Sequence, residues 1–424
     1  MTYMKKARTS LMKQFDAVII GGGAAGLMCA VKLAWGGADT CVIEKERVIG
    51  KKLRITGKGR CNVTNNCDVQ GVMNNIVSNP KFMYSALSGF SPEDTQAFFE
   101  TLGVPLKTER GGRVFPVSDN ANDIADCLIN TAKQAGVKFI SGRVSGIIYE
   151  NGAAVGAKTE TDSIFGRNII VATGGKSYPK TGSTGDGYGF AEDAGLDVTE
   201  IRPSLVPIVA VQKSECAQMM GLSLKNVTLT LFEKDSKRAI YSELGEMLFT
   251  HFGVSGPLVL SASAHIKGKA DRYCLEIDLK PALDEEKLDA RILRDFESAK
   301  NRDFSNSLGR LLPAKLIPVV IRRTGIDGTK KINQITKAER ERLISAVKKF
   351  TLDIAALRPI DEAIVTRGGV AVSGIEPKSM RSKKHSGLYF IGEVLDVDAY
   401  TGGFNLQIAF ATANACAQDI CAGL

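Results

Sequence analysis

The chain has only three histidines in 424 residues, His251, His265 and His385, and they lie far apart. Its nine cysteines show no paired metal spacing. Clustered Cys and His are what a structural zinc site draws on, so no metal is expected. Scattered cysteines fit a reducing, cytoplasmic setting. No apolar run reaches the roughly 18 to 20 residues that a bilayer span requires, so no membrane partner is expected. The basic first fourteen residues have no apolar stretch before Phe15 and do not read as a secretory signal. Met4 and Met12 could serve as alternative starts, so the first dozen residues are expected to fray.

The rest of the composition is that of an ordinary soluble globular protein, 44% hydrophobic and 24% charged. The length calls for two or three domains rather than one core. Net charge is +9, which suits a small-molecule substrate or ligand of negative charge. Basic residues gather at Lys51, Lys52, Arg54, Lys58 and Arg60, and again at Lys378, Arg381, Lys383 and Lys384. Neither group is interleaved with aromatics as a single-strand platform would be, so nucleic acid is not an expected partner.

Residues 15–20 form a short apolar run that reads as a buried parallel strand. A helix is expected over 26–35, stopped by Gly36 and Gly37, and a second strand over 40–43. Residues 51–67 read as a polar, Gly-rich loop. Helices are expected over 92–102 and 120–135, a hairpin over 106–115, and strands over 137–140 and 168–172. The texture changes near 201. Alternating strand patterns at 206–211, 227–232 and 273–279 precede a charged helical stretch over 284–350. A strand at 388–391 and an Ala-rich helix at 403–417 follow. The fold class is therefore α/β. A Rossmann-type domain with a parallel sheet spans 1–200 and 351–424, interrupted by an insertion at 201–350 that is β-rich to 283 and helical beyond.

The first chemical motif is Gly21-Gly22-Gly23-Ala24-Ala25-Gly26. Gly21 permits the tight strand-to-helix turn, Gly23 lets backbone approach a pyrophosphate, and Gly26 lets helix and strand pack closely. The helix N-terminus supplies partial positive charge. Glu44, with Lys45 beside it, ends the next strand 18 residues after Gly26, where a carboxylate receives an adenosine ribose. The motif does not separate FAD from NAD. Three later stretches point to FAD: residues 169–175 with Ala172-Thr173-Gly174 resemble the strand and turn that many FAD proteins carry; residues 388–393 ending Gly392-Glu393 resemble their second fingerprint; and Gly402-Gly403-Phe404-Asn405-Leu406-Gln407 opens a helix. That helix start aims free N–H groups at the flavin N1/O2 edge.

On residues 18–30, 172–187 and 392–411, and on residues 50–65, which include Lys52, Arg54, Gly59, Arg60, Cys61 and Asn62, the chain resembles the BaiN/RdsA family of NAD(P)/FAD-dependent oxidoreductases. This family is close to the aminoacetone-oxidase-like flavoproteins. The likeness spans nearly the whole chain. It implies non-covalent FAD, with the loop from Arg54 to Asn62 beside the pyrophosphate and flavin, the backbone near Val144 at the adenine, and the insertion over the flavin. More distantly, Thr184-Gly185-Asp186-Gly187 resembles a motif of fumarate reductase and ketosteroid dehydrogenase flavoproteins.

Cys61 and Cys67 have five residues between them in a loop, unlike the helix-borne pair of flavin disulfide reductases. Cys61 is read instead as packing near the flavin. There is no second G-x-G-x-x-G, hence no separate nicotinamide domain, and NAD(P)H as donor would use the substrate side of the flavin. Tyr178, Tyr400 and Asp398 are the catalytic candidates, with Asp396 nearby; a tyrosine hydroxyl polarises an enone carbonyl or delivers a proton. His251 is a candidate substrate contact, and His385 reads as solvent-exposed. The leading expectation is FAD-dependent reduction of an activated C=C in a 3-oxo steroid or bile-acid-like substrate. An amine oxidase using O2 and an FAD-dependent RNA-modifying protein are the alternatives.

Overall fold

The computed structural model of the protein describes residues 14–236 and 238–424. The expectation for the first dozen residues lies outside this range. The chain divides into two units: one runs to Arg202 and resumes over Ile364–Leu424, and the other is Pro203–Ala363.

The first unit is built on strand β1, Gln14–Ile20, which runs through the middle of a sheet and is therefore apolar on both faces. Helix α1, Ala24–Trp35, is buried almost all round, as suits a core helix. Strand β2, Thr40–Glu44, pairs in parallel with β1, Ala17 opposite Thr40. Three further elements are α2 (Lys51–Ile55), α3 (Pro92–Thr101) and α4 (Ala121–Gln134). Strand β3, Lys138–Ser141, continues the sheet beyond β2. Strand β4, Ser163–Val171, flanks β1 on its other side. After α5, Asp186–Asp193, comes β5, Leu388–Phe390, which pairs with the C-terminal end of β4. The parallel order is thus β3-β2-β1-β4-β5. The chain leaves β1 towards β2 and β3, then returns to the opposite side for β4. That switch opens a crevice at the carboxyl ends of β1 and β4. Helix α6, Phe404–Cys421, closes the unit with nearly all its first four turns buried.

Two expectations are corrected here. Residues 51–67 are not a plain loop: they hold α2 and a two-residue strand, Thr64–Asn65, which adds to the Leu106–Glu109 and Arg113–Pro116 hairpin. The second concerns the end of the insertion. Phe350–Leu357 does not belong to the Rossmann-type unit. It pairs antiparallel with Tyr273–Asp278 and Ile208–Ala210 and closes a six-stranded barrel in the second unit. Its alternation places Phe350, Leu352 and Ile354 in the barrel core beside Leu229, Leu231 and Phe249. Closure leaves no unpaired edge. Helices Glu285–Glu297, Ile317–Thr324 and Lys337–Lys348 belong to the same unit. Among the described residues no helix is long and apolar enough to cross a membrane, and no cluster of three or more His, Cys, Asp or Glu is placed to hold a metal.

Candidate functional site

The turn from β1 to α1 is shaped by contacts that only glycine allows. Gly21 sits at φ 109°, and a Cβ there would fall 2.5 Å from the Ala172 carbonyl oxygen. A Cβ on Gly26 would fall 2.0 Å from the Gly21 carbonyl oxygen. These two contacts draw β1, α1 and β4 together. Gly23 differs: its φ is −84°, and a Cβ there would meet no atom within 4 Å. As the N-cap of α1 it provides no side-chain cap, so the helix presents its first N–H groups outward to open space. Ala24 and Ala25 keep that mouth narrow-walled but apolar, and Ala25 lies against Gly392, where a Cβ would come within 2.7 Å. A phosphate-bearing dinucleotide fits this mouth, because it supplies the missing cap and needs the missing side chain.

Glu44 stands beside the turn. Its carboxylate accepts from the backbone N–H of Gly22 at 2.7 Å and of Glu46 at 2.8 Å. Lys45 reaches across to the hydroxyl of Thr184 at 2.5 Å and to Asp186 at 2.6 Å. Arg143 donates to the other oxygen of Asp186 at 3.0 Å. Burial alone would raise the Asp186 carboxyl. The hydrogen bond and charge of Lys45, then those of Arg143, outweigh it and hold it below the usual range. Arg143, Val144, Ser145, Asp186 and Phe190 line a groove of about 400 Å³.

Lys52, Ser177 and Glu393 come from distant parts of the sequence and meet directly. The Lys52 ammonium donates to Glu393 at 2.7 Å and to the Ser177 hydroxyl at 2.8 Å. The other Glu393 oxygen accepts from Ser177 Oγ at 3.1 Å and from the Thr366 N–H at 2.9 Å. Ser177 and Thr366 are members that sequence reading missed, and no local motif marks either. Arg54 and Arg60 are engaged elsewhere. Arg54 donates to Asn122 at 2.7 Å and Asp126 at 2.6 Å, fastening α2 to α4. Arg60 binds Glu109 and Asp119, both at 2.5 Å, and lies over the Phe115 ring.

From Gly57 to Cys61 the chain is strained. Gly57, Lys58, Gly59 and Cys61 all have φ between 59° and 82°. For the two non-glycine residues this costs about 1–2 kcal/mol each. Backbone bonds from Cys61 to Thr56 at 2.9 Å and from Ala121 to Gly59 at 2.8 Å hold the shape. Cys61 is fully buried, and burial pushes its thiol up to about 12. Cys61 and Cys67 are both free thiols. Next in the chain, Asn62 Oδ1 is buried without a hydrogen-bond partner among the described residues, as is Thr173 Oγ1. Thr173 faces α5, where a Cβ on Gly187 would lie 2.3 Å from its hydroxyl. Gly174 has φ 73°.

The start of α6, like that of α1, has no side-chain cap. Gly403, at φ 98°, offers no side-chain cap to Phe404, Asn405 and Leu406. The Asn405 side chain turns back to its own loop, accepting from Ala399 N–H at 3.0 Å and donating to the Ala399 carbonyl at 2.8 Å. Asp398, 1% exposed, and Tyr400 belong to that loop. The Asp398 carbonyl accepts from Val77 at 2.8 Å, and the Tyr400 N–H donates to Asn75 at 3.0 Å. Tyr178 is 38% exposed, at φ 52°, in the stretch after Gly174. In the other unit His251 is exposed and packs edge-on to Phe252. His385 is held by the carbonyls of Gly152 and Ala194, each at 3.1 Å.

Residues 15–419 match the family described as HI0933-like protein Rossmann domain. The chain is 33% identical over 415 residues to the ribosomal RNA dihydrouridine synthase of Haemophilus influenzae, covering 96% of this chain and 99% of that protein. It is 30% identical over 422 residues to the Escherichia coli protein of the same name, covering 97% and 99%. It is also 30% identical over 401 residues to the 3-dehydro-bile acid delta(4,6)-reductase of Clostridium scindens, covering 93% and 96%. Among solved structures, 3-ketosteroid-delta4-(5alpha)-dehydrogenase from Rhodococcus jostii aligns over 98% of this chain and 99% of its own. The TM-score is 0.52 at 15% identity, a likeness of fold alone. With two relatives named for RNA, the expected exclusion of nucleic acid has no support.

Proposed function

Because the chain belongs to the HI0933-like Rossmann family, a family of flavin-dependent oxidoreductases, we propose that it reduces a carbon–carbon double bond conjugated to a carbonyl, using FAD and electrons from NAD(P)H. The observation that carries this reading is the end-to-end likeness to relatives named for two such reductions. The C5=C6 bond of uracil is conjugated to the C4 carbonyl, as the double bonds of a 3-oxo-4,6-diene steroid are to theirs. We place uracil in RNA first. Two relatives of that name align over 99% of their own lengths, and the +9 net charge suits a polyphosphate substrate. A 3-oxo steroid is the second reading, favoured by the bile-acid reductase relative.

In this reading the mouth of α1, with Gly21, Gly23, Ala24, Ala25 and Gly26, takes the pyrophosphate. Glu44 receives the adenosine ribose, and the groove at Val144 takes the adenine. The N–H groups of Phe404, Asn405 and Leu406 meet the pyrimidine edge of the flavin, and the free Asn62 acceptor takes a ring N–H. Lys52 and Glu393 hold the wall between the two helix starts. Bound FAD supplies the hydride. Tyr178 or Tyr400 polarises the substrate carbonyl by donating a hydrogen bond, and the proton for the adjacent carbon comes from a tyrosine, from Asp398 or from water. Without a second dinucleotide motif, donor and substrate take turns at the same place, and ping-pong kinetics follow.

The test uses FAD-loaded protein under anaerobic conditions. NADH or NADPH should bleach the flavin, and unmodified ribosomal RNA transcript should restore its colour while gaining dihydrouridine by mass spectrometry. Recolouring by a 3-oxo-4,6-diene steroid and not by RNA moves the substrate to the second reading. Bleaching only by a small amine, with recolouring by air and peroxide release, defeats both.

A further inference from the structure

Gln407 lies in the first turn of α6 and is completely buried. A buried primary amide needs partners for its carbonyl and its NH2, and these are drawn from three separate segments. Gln407 Oε1 accepts from Thr64 Oγ1 at 2.7 Å and from Thr95 Oγ1, on α3, at 2.8 Å. Its Nε2 donates to the Phe90 carbonyl at 2.8 Å. No group in this network titrates.

The network does more than fill a core. Thr64, which donates to Gln407, also touches the helix start through its backbone: a Cβ on Gly403 would fall 2.2 Å from the Thr64 carbonyl oxygen. The neighbouring Asn65 donates to the Gly402 carbonyl at 3.1 Å. The uncapped N–H groups of Phe404, Asn405 and Leu406 are thereby held at one place against the strand that follows Cys61 and Asn62. Hydrogen-bond donors stabilise developing negative charge only when they are already aimed before it appears. We propose that Gln407 is a positioning residue for flavin reduction: it fixes the α6 N-terminus so that its N–H groups favour the reduced, anionic flavin over the oxidised one. This rests on the placement of the flavin pyrimidine edge at that helix start, as proposed above.

The test measures FAD affinity and flavin midpoint potential for wild type, Thr95→Val, Gln407→Met and Gln407→Glu. Gln407→Met should bind FAD yet favour reduced flavin about ten-fold less, a fall of ~30 mV for a two-electron couple. Thr95→Val removes one of the two donors to the Gln407 carbonyl, leaves that of Thr64 in place, and keeps the proposal testable if the methionine variant does not fold; it should shift the potential in the same direction by less. Gln407→Glu supplies a buried carboxyl that stays protonated to unusually high pH. Protonated, it accepts from both threonines and donates to the Phe90 carbonyl, so the wild-type potential should return. Once ionised it faces that carbonyl oxygen, and the potential should fall. A wild-type potential in Gln407→Met or, if that variant does not fold, in Thr95→Val, with only thermal stability reduced, overturns the role of Gln407. Failure of wild-type apoprotein to take up FAD overturns the site reading instead.

Discussion

Gly23 and Gly26 belong to one motif, yet they should respond oppositely to the same change. At Gly23 the backbone is extended at φ −84°, open to any residue, and a Cβ meets no protein atom within 4 Å. Gly23→Ala should therefore leave the apoprotein intact. It should even gain about 0.4–1 kcal/mol from reduced freedom of the unfolded chain, roughly 1–4 °C in Tm for a unit of this size. The same methyl would stand where the pyrophosphate is proposed to lie. Forcing an extra methyl into a filled contact costs about 1–3 kcal/mol, so FAD should bind about 5- to 150-fold more weakly. At Gly26 the methyl would lie 2.0 Å from the Gly21 carbonyl oxygen and 3.3 Å from Ala172 Cβ. Gly26→Ala should lower the apoprotein Tm, because backbone rather than a mobile side-chain tip must move. Differential scanning fluorimetry of both apoproteins, with FAD titration followed by flavin fluorescence quenching, separates the two effects. Unchanged FAD affinity in Gly23→Ala would show that the open space at this helix mouth does not hold the pyrophosphate.

Lys52→Met leaves Glu393 with Ser177 and the Thr366 N–H but without its cation. With both partners about a fifth exposed, the loss should be about 1–2 kcal/mol, seen as a lower Tm and weaker FAD binding; no change in either would remove the pair from the site. Burial raises the Cys61 thiol from its usual 9 to about 12. The native state therefore binds the proton more tightly than the unfolded chain, and the contribution is intact below about pH 9 and lost as pH rises towards 12. Native protein should resist alkylation at Cys61 at neutral pH, and a Cys61–Cys67 disulfide found by mass spectrometry after peroxide would contradict that. In the barrel unit, Lys330 first and then the Thr336 N–H draw the Glu339 carboxyl down to about 2. A depressed carboxylate contributes above its unfolded value near 4.5 and loses that contribution as pH falls. Glu339→Gln should thus destabilise slightly at neutral pH in urea melts, with the difference from wild type shrinking towards pH 2. Thr336→Ala, which breaks the same capping box, should cost about 1 kcal/mol.

Local chemistry made the parallel half of the fold readable from sequence. The run from Phe15 to Ile20, the six-residue glycine motif and Glu44 mark strand, turn, helix and strand by residue type and spacing within one continuous stretch of the chain. The Ala-rich helix after Gly403 was legible for the same reason. Phe350–Leu357 was not. Its alternating pattern suits any half-buried strand, and only the free edges of Tyr273–Asp278 and Ile208–Ala210 assign it to the barrel. Helix α2 was hidden because Gly57 and Gly59 beyond it carry the signature of a loop, while its hold on the fold comes through Arg54, Asn122 and Asp126, some seventy residues apart. The polar contacts of the site show the same division. Nothing near Ser177, Thr366 or Thr95 marks them, because their partners Lys52, Glu393 and Gln407 lie hundreds of residues away in several cases, and a hydrogen bond depends on distance in space. Sequence determined which backbone could admit a dinucleotide; the tertiary structure alone decided which side chains stand around it, because burial leaves each polar group only the partners that packing brings within reach.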